Sequence, residues 1–117
     1  VIMDKIFVKF PSEKKYISTL RLSISSIANT ISMDIENIED LKVSISEVVN
    51  LFVDESEFFE ISMDVFDDKI EIEVMPDISL LGIKEKEENK FALLILENLV
   101  DKVEFRENSV LLVKNKG

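Results

Sequence analysis

The sequence has 117 residues, 46% of them hydrophobic and 32% charged, which predicts one globular domain with a single core over residues 1–117. Its formal net charge is −10, and a field of that sign disfavours nucleic acid and anionic lipid as partners. Cysteine and histidine are both absent, which excludes disulfides, thiol nucleophiles, Ser-His-Asp triads and the usual zinc sites.

The first element is predicted to be a half-buried strand over residues 5–10, because Ile6, Val8 and Phe10 alternate with residues of the other face. Pro11 ends this strand, and Ser12 is predicted to cap a helix. That helix is amphipathic and about five turns long, since apolar residues recur at three- and four-residue steps. They are Tyr16, Ile17, Leu20, Ile24, Ile27, Ala28 and Ile31.

A second amphipathic helix is predicted next, with Asp34 or Asn37 as its N-cap. An acidic stretch at residues 54–57 is predicted to end it. The apolar positions that define this helix are Ile38, Leu41, Ile45, Val48, Val49 and Phe52.

Two alternating segments, residues 59–65 and 70–74, then predict a hairpin that turns at Asp67-Asp68. The surrounding stretch, residues 54–77, holds ten acidic residues against one lysine and so has a net charge of −9. Two interpretations are open for this charge: a solvated sheet edge and turn, or a surface that attracts a basic partner.

The last third begins with a wholly polar stretch at residues 84–90 and continues into a helix over residues 91–100. That helix is apolar around most of its circumference, which predicts that it is well buried. A second hairpin follows, with strands at 103–105 and 110–113 joined by residues 106–109. The order β-α-α-β-β-α-β-β predicts an α+β fold, a two-layer sandwich with helices on one face of the sheet.

The sequence shows neither a membrane-spanning segment nor a signal peptide. No run reaches the roughly 18 apolar residues of a membrane span, and residues 1–5 lack the apolar core of a signal peptide. The sequence therefore predicts a cytoplasmic protein without a membrane partner.

Three segments together resemble the anti-sigma-factor serine kinases of the GHKL (histidine kinase-like) ATPase superfamily. They are residues 20–28, residues 38–49 with Glu-Asp-Leu-Lys and Ser-Glu, and residues 91–103 with Leu-Val-Asp-Lys-Val. The family's elements also have the same order, and the resemblance covers nearly the whole chain. It implies the GHKL ATPase-like sandwich for residues 1–117.

The resemblance implies that Glu47 takes the place of the general base that acts on a serine of a partner protein. Four residues later the family has an asparagine that holds Mg²⁺ against ATP, whereas this chain has Leu51, which has no oxygen in its side chain. Asn50 is rotated from that position by about 100° and would need a shift of the helix register to replace the ligand. Glu47 is therefore either a surviving base or, as we favour, a structural residue at the mouth of the cleft.

The family's adenine-binding turn, Asp-x-Gly-x-Gly, is also altered. If Asp77 is its aspartate, Ser79 and Leu81 replace both glycines; if Pro76 occupies that place, the carboxylate is lost as well. Asp77 remains the candidate adenine ligand. The residues predicted to pack where the family has a nucleotide cleft are Ile78, Leu80 and Leu81.

The third change concerns the glycine-rich lid with which the family covers the phosphates of ATP. In this chain Ala92 stands where the family has a glycine at the end of that lid. Lysines and glutamates alternate before it, at Lys84, Glu85, Lys86, Glu87, Glu88 and Lys90. Because metal ligand, turn and lid have all changed, we predict that the chain holds neither ATP nor a metal ion. ATP and Mg²⁺ are the implied cofactors only if the family's activity survives.

The leading hypothesis is therefore a regulator without catalysis that binds a sigma factor, an anti-sigma-factor antagonist of the STAS type, or both. Arg21 matches the arginine of the family's partner face, although a solvated helix charge is the alternative for this residue. The family analogy also allows a homodimer. The rival hypotheses are an active serine/threonine protein kinase that phosphorylates its antagonist, and a structural part of a larger signalling complex.

Overall fold

Five antiparallel strands form one sheet in the order β1-β2-β3-β5-β4. In the computed structural model, which describes residues 1–117, these strands are β1 (Asp4–Pro11), β2 (Phe58–Val65), β3 (Lys69–Pro76), β4 (Lys102–Phe105) and β5 (Val110–Asn115). Both predicted hairpins are confirmed, since β2 pairs with β3 and β4 pairs with β5. The Phe66 N–H donates to Lys69 O (2.9 Å) and so closes the first turn around Asp67 and Asp68.

Three helices, α1 (Ile17–Thr30), α2 (Ile35–Asn50) and α3 (Lys90–Leu99), cover one face of this sheet. α2 packs against both α1 and α3 and so lies between them. The predicted element order and the two-layer α+β sandwich are both confirmed. None of the three helices combines the length and the hydropathy needed to cross a membrane.

The core lies between the two layers and contains 26 buried hydrophobic residues in one cluster. Side chains of the middle strands alternate in burial, so that every second residue of β2 and β3 faces the helices. The helices contribute the residues at three- and four-residue spacing that the sequence indicated. Core residues with almost no exposed surface include Leu20, Ile24, Leu41, Ile45, Phe59, Ile61, Met63, Ile70, Ile72, Leu96 and Leu112.

The predicted helix caps are wrong in detail. A 3-10 turn, Lys14–Tyr16, precedes α1, and the Ser12 hydroxyl instead donates to Val53 O (2.9 Å), which ties the end of β1 to the segment after α2. Asp34 does occupy the N-cap position of α2, but its side chain makes no capping hydrogen bond. Asn37 lies inside the helix, and its amide donates to Asn115 O (3.3 Å).

The prediction that the last helix is well buried is also wrong. Within α3 only Leu96 is fully buried, whereas Phe91 is 74% exposed and Leu94 is 56% exposed. The reason is its position: α3 packs against α2 and the segment that precedes it and lies near the short edge strand β4, so it is at the margin of the helix layer. Periodicity gave the apolar content of this helix correctly but not its location at the margin of the layer.

The acidic stretch at residues 54–77 runs through β2 and β3, which are interior strands of the sheet, so the sheet-edge interpretation is wrong for them. Their acids face solvent on the side of the sheet away from the helices, and cations from other positions neutralise part of the charge. The pairs are Asp64 with Lys5 (3.1 Å), Glu71 with Lys69 (3.2 Å) and Glu73 with Arg106 (2.9 Å). Asp67 and Asp68 do lie in the exposed turn.

Candidate functional site

Glu47 lies on α2 at the boundary between the core and solvent. Leu41, Ile45 and Val48 occupy the face of α2 that packs inward, and this places Glu47 at the margin, where it is half-buried. Its neighbour Ser46 donates to Lys42 O (3.0 Å) within the helix. Glu47 itself takes part in no salt bridge of the molecule.

Arg21 lies on α1 and reaches across to α2. Its Nη1 donates to Ser46 Oγ at 3.3 Å, so the guanidinium lies beside the residue that precedes Glu47. The arginine is half-buried, and it takes part in no salt bridge. The structure therefore places the predicted partner residue Arg21 against α2 at Ser46, whereas the predicted base Glu47 is rotated from Ser46 by about 100° around the helix.

A cavity of about 230 Å³ opens at the C-terminal end of α2. It is lined by Asn50, Leu51, Phe52, Asp54, Glu55, Glu88 and Asn89. Asn50 and Leu51 are both among these residues. Glu47, Asp77 and Arg21 do not line it. The cavity is also smaller than most small-molecule sites, which have roughly 300–1,000 Å³.

The charges around this cavity oppose phosphate binding. Three carboxylates, those of Asp54, Glu55 and Glu88, are among its lining residues, and no lysine or arginine is. Asp54 does pair with one cation, Lys14, whose exposed Nζ lies 3.8 Å from Asp54 Oδ2. A triphosphate placed here would meet like charges at short range, which is unfavourable in a partly desolvated space.

At the end of β3, Pro76 and not Asp77 faces the helices. Val74 and Pro76 are buried on the inward side of the strand, whereas Asp77 is exposed. The Asp77 carboxylate accepts a hydrogen bond from the Glu57 N–H (3.0 Å) and so links the end of β3 to the start of β2. A nucleotide between sheet and helices would therefore meet the proline ring at this position.

The segment after β3 packs into the core. Leu80 and Ile83 are only 4% and 7% exposed and belong to the core cluster, and Ile78 packs against it. The Leu80 N–H donates to Glu107 O (2.7 Å), which fixes the segment to the β4–β5 turn. The prediction for Leu81 is wrong, because its side chain is 73% exposed.

The stretch in the place of the lid forms two 3-10 turns, Ile83–Glu85 and Glu87–Asn89. Gly82 begins the first turn with φ +79°, a conformation that side-chain-bearing residues rarely adopt. The Asn89 amide donates to Ile83 O (2.9 Å) and joins the two turns. Lys90 pairs with Glu87 at 3.9 Å, so part of the positive charge here is already neutralised.

Sequence reasoning missed Lys114, which is only 7% exposed. Its Nζ donates to Leu99 O (2.6 Å) at the end of α3 and to Asp40 Oδ2 (3.4 Å) on α2. The alternation of the strand could have predicted this burial. Val110 and Leu112 face the core, and Lys114 is the next residue on the same face of β5. This lysine joins β5 to α2 and α3.

A second missed group lies on the outer face of the sheet. Arg106 donates to Glu73 Oε2 (2.9 Å) and to both carboxylate oxygens of Glu104 (3.4 Å each), and the Ser109 hydroxyl also donates to Glu73 (2.7 Å). The hydrogen bond from Arg106 holds the pKa of Glu104 below its ordinary value of 4.5, and the same bond raises the pKa of Arg106. This group is separated from the α1–α2 surface by the whole sheet.

Comparison with known proteins gives the family. A serine-protein kinase RsbW of Oceanobacillus iheyensis is 30% identical over 122 residues, which cover 86% of this chain and 77% of the relative. This chain belongs to the RsbW family. The RsbW of Halalkalibacterium halodurans is 27% identical over 126 residues, covering 91% of this chain and 78% of that protein. No family model matches the sequence.

A solved structure supports the fold of this RsbW-family chain. The crystal structure of the RsbU and RsbW domains of Rv1364c from Mycobacterium tuberculosis aligns with a TM-score of 0.71 over 97% of this chain, at 14% identity. Only 32% of that longer structure is covered, so the likeness concerns the fold alone. The resemblance to GHKL serine kinases drawn from the sequence is thereby confirmed.

Proposed function

We propose that this RsbW-family chain is an anti-sigma-factor-like regulator that works by binding proteins and does not bind ATP. Its partners would be a sigma factor, an antagonist domain of the STAS type, or both, and residues 1–117 would act as one domain. Because such partners act in transcription, the proposed site of action is the cytoplasm.

The observation that carries the proposal is the burial of Leu80 and Ile83 in the core. Leu80 lies in the altered turn, between the two positions where the family has glycines, and Ile83 begins the stretch in the place of the lid. Close-packed aliphatic side chains cannot move aside without opening a cavity in the core, which is costly. This packing supports the proposal that the space for a nucleotide is lost through the fold and not through one substituted side chain.

The chemistry of the cavity at the end of α2 supports the same proposal. Leu51 offers no side-chain oxygen to Mg²⁺, and the carboxylates of Asp54, Glu55 and Glu88 would repel phosphate. The inward position at the end of β3 is Pro76, while the Asp77 carboxylate is engaged by the Glu57 N–H. The residues present thus fit neither adenine nor a magnesium triphosphate.

Protein binding is proposed for the surface around Arg21. The half-buried guanidinium uses Nη1 for Ser46 and keeps its other donors, which suits a carboxylate of a partner. Glu47, which follows Ser46 on α2, would not act as a base, because no metal-chelated ATP would be present.

The alternative is an active serine/threonine protein kinase that phosphorylates its antagonist. One observation favours it: Asn50, one residue from the place of the family's metal ligand, is among the residues that line the cavity beyond α2. In this alternative Glu47 would still act as the base. Mg²⁺ would then have to be held by Asn50 and not at the family's usual position, which Leu51 occupies.

Thermal unfolding with and without Mg²⁺-ATP separates the two functions. A ligand at one hundred times its dissociation constant stabilises a protein by about 2.7 kcal/mol, which would be readily visible. We expect no shift for the natural chain, and none for Leu51→Asn, because the restored ligand still lacks a nucleotide space. A clear upward shift of the natural chain would overturn the proposal.

Partner binding needs its own measurement. Titration of candidate sigma factors and STAS domains against the natural chain and Arg21→Ala should give binding that the substitution weakens. If neither class of partner binds, the chain acts in another way, such as a structural part of a larger complex.

A further inference from the structure

Strand β1 forms the longer free edge of the sheet. It pairs with β2 on one side, and as the terminal strand it pairs with nothing on the other. Phe7, in its middle, is 62% exposed, and Ile6 and Val8 are only half-buried although they pack against the core. An unpaired strand edge is a row of hydrogen-bonding groups, so the geometry of these groups decides what can cover it.

The backbone of β1 points hydrogen-bonding groups to this open edge at every second residue. The Ser12 N–H donates to Glu57 O (3.0 Å), and these two residues continue the β1–β2 register. Bonded and non-bonded positions alternate along an antiparallel pair, so the even-numbered residues of β1 bond to β2. The N–H and C=O groups of Lys5, Phe7 and Lys9 therefore point outward, at a spacing that an extended chain matches.

Two lysines determine the charge that an added strand would meet. Lys5 and Lys9 lie on the outer face of the sheet, where β2 places Asp64 opposite the first and Glu60 opposite the second. Lys5 Nζ lies 3.1 Å from Asp64 Oδ1, whereas Lys9 forms no salt bridge and its Nζ lies 4.0 Å from the centre of the Phe58 ring. For a strand added at the open edge, the lysines would be the direct cross-strand neighbours, at about 5 Å, and the two acids of β2 would lie one strand further, at roughly 10 Å.

The remaining charges near β1 lie beyond its ends or on its other face. Asp4 begins the strand, and its side chain has the parity of the helix-covered face. At the other end, Lys14 pairs with Asp54 (3.8 Å) and Lys15 pairs with Glu13 (3.7 Å). The open edge therefore presents positive charge on its outer face, in a protein whose net charge is −10.

A second copy of this chain fits the edge poorly. In the antiparallel register that pairs Phe7 with Phe7 of the other copy, Lys5 lies opposite Lys9 twice, and like charges directly opposite each other are destabilising. The neighbouring registers lose hydrogen bonds, because they use Met3, whose N–H already bonds to β2, or Pro11, which has no N–H. The lysines thus act against self-pairing, as edge lysines commonly do.

We propose that β1 accepts an extended segment of a partner protein as a sixth strand, with one carboxylate opposite Lys5 and one opposite Lys9. Apolar residues at the alternate positions of this segment would cover Ile6 and Val8. The strand on the other side of β1 has this same pattern, since β2 alternates its two acids with inward apolar residues. Binding at this edge requires neither the loss of the nucleotide site nor Arg21.

Amide hydrogen exchange of the ¹⁵N-labelled full chain tests the edge. We expect the amides of Ile6 and Val8 to be protected, and those of Lys5, Phe7 and Lys9 to exchange rapidly. The peptide Thr-Val-Glu-Val-Tyr-Val-Glu-Val-Thr is then added, so that its glutamates can lie opposite the two lysines. It should shift the amide resonances of β1 and slow exchange at the three outward amides, with affinity that falls as salt rises, whereas a peptide with lysine in place of glutamate should shift nothing.

N-methylation of the peptide distinguishes strand pairing from charge attraction. A methyl group on the tyrosine nitrogen removes the donor that faces the Phe7 C=O, whereas a methyl group on the nitrogen of the adjacent valine points away from β1. We expect the first to weaken binding by roughly tenfold and the second to leave it nearly unchanged.

Variants of the chain test the two lysines. Lys5→Gln with Lys9→Gln should weaken the glutamate peptide by roughly fivefold to tenfold. Lys86→Gln with Lys102→Gln is the matched control, because it removes the same charge at exposed positions away from β1, and it should leave the affinity unchanged at physiological ionic strength. Arg21→Ala should also leave it unchanged, so that failure here and failure of the proposed function are distinguishable.

Four results would overturn the proposal: no shift by the glutamate peptide at about 1 mM, equal binding of the lysine peptide, equal weakening by the two methyl groups, or equal weakening by the control variant. The molar mass in solution is measured by light scattering beside these titrations. A dimer in which the amides of Lys5, Phe7 and Lys9 are already protected would identify a second copy as the occupant and would equally reject a partner strand.

Discussion

Arg21 on α1 donates a hydrogen bond from Nη1 to Ser46 Oγ on α2, at 3.3 Å. Ser46 in turn donates to Lys42 O (3.0 Å), so its hydroxyl accepts from one helix while it bonds within the other. This holds the positive charge of Arg21 against α2 at Ser46. The proposed partner surface is therefore built across two helices and depends on a single hydroxyl.

Substitution of Ser46 should disturb partner recognition more than stability. Ser46→Ala removes one half-buried, neutral acceptor of a charged donor, and we expect a loss of about 1 kcal/mol in the free energy of unfolding, measured in urea. Arg21→Ala should cost a similar amount, because the arginine keeps contact with water. If either variant unfolds the protein, the α1–α2 contact is primarily structural, and a loss of partner binding would then carry no information about the surface.

Lys114 should matter more to stability than any exposed lysine. Lys114→Ala would leave Leu99 O and Asp40 without their donor, at a cost of roughly 1–3 kcal/mol. Lys114→Met keeps most of the buried aliphatic stem and separates the loss of packing from the loss of the hydrogen bonds. Lys116→Ala, at an exposed position near the C-terminus, is the control and should change the free energy of unfolding by less than about 0.5 kcal/mol. Equal effects at the two positions would contradict the role given to the buried ammonium.

Local patterning was enough to predict the elements of this fold. The alternation in β2 and β3 and the three- and four-residue steps in α1 and α2 gave both the elements and their buried faces, because these patterns depend on backbone geometry. The alternation in β5, extended from Val110 and Leu112 to the next residue on the same face, would have predicted that Lys114 is buried. The exposure of α3 could not be read in this way, since it depends on which helix lies at the margin of the layer.

In the candidate site, too, some features could be predicted from the sequence and others depend on the fold. The replacement of the family's metal ligand by Leu51 and of its glycines by larger residues is visible in the sequence. The register at the end of β3 is not, and it decides that Pro76 faces inward while Asp77 bonds to the Glu57 N–H. The helix cap predicted at Ser12 is wrong for a related reason: the actual partner of this hydroxyl, Val53 O, is distant in sequence and close only in the fold.

Gly82 is the one position where a glycine is required by the backbone. Its φ is +79°, and a Cβ added to this residue would meet no atom within 4 Å, so the effect of a side chain is conformational and not steric. Gly82→Ala should lower the free energy of unfolding by about 1–2 kcal/mol, and Gly82→Asn by less, because asparagine tolerates this region. Thermal denaturation of the two variants checks the order. A smaller loss for alanine than for asparagine would contradict the assignment.

The Arg106–Glu104 pair predicts a pH dependence at acid pH. The pKa of Glu104 is lowered in the folded state by the hydrogen bond from Arg106, so the folded protein binds a proton there less readily than the unfolded chain. The pair's contribution to stability is therefore present above the ordinary pKa of 4.5 and is lost as the pH falls through the lower, folded value. Urea denaturation at several pH values below about 6 should show a shallower decline for Glu104→Gln. Asp67→Asn, in the exposed turn, should leave the decline unchanged; if both variants flatten it equally, general charge repulsion is the cause.

Leu80 and Leu81 offer a direct test of the packed turn, because they are the same residue type at adjacent positions, one 4% and the other 73% exposed. Leu80→Ala should cost about 2–4 kcal/mol through the cavity it leaves, and Leu81→Ala less than about 0.5 kcal/mol. The Leu80→Ala variant should still show no rise in melting temperature with Mg²⁺-ATP, since Ile83 stays buried and Asp54, Glu55 and Glu88 still line the neighbouring cavity. A rise in that variant alone would mean that the leucine side chain was the only obstacle, and that the family's nucleotide pocket is otherwise intact beneath it.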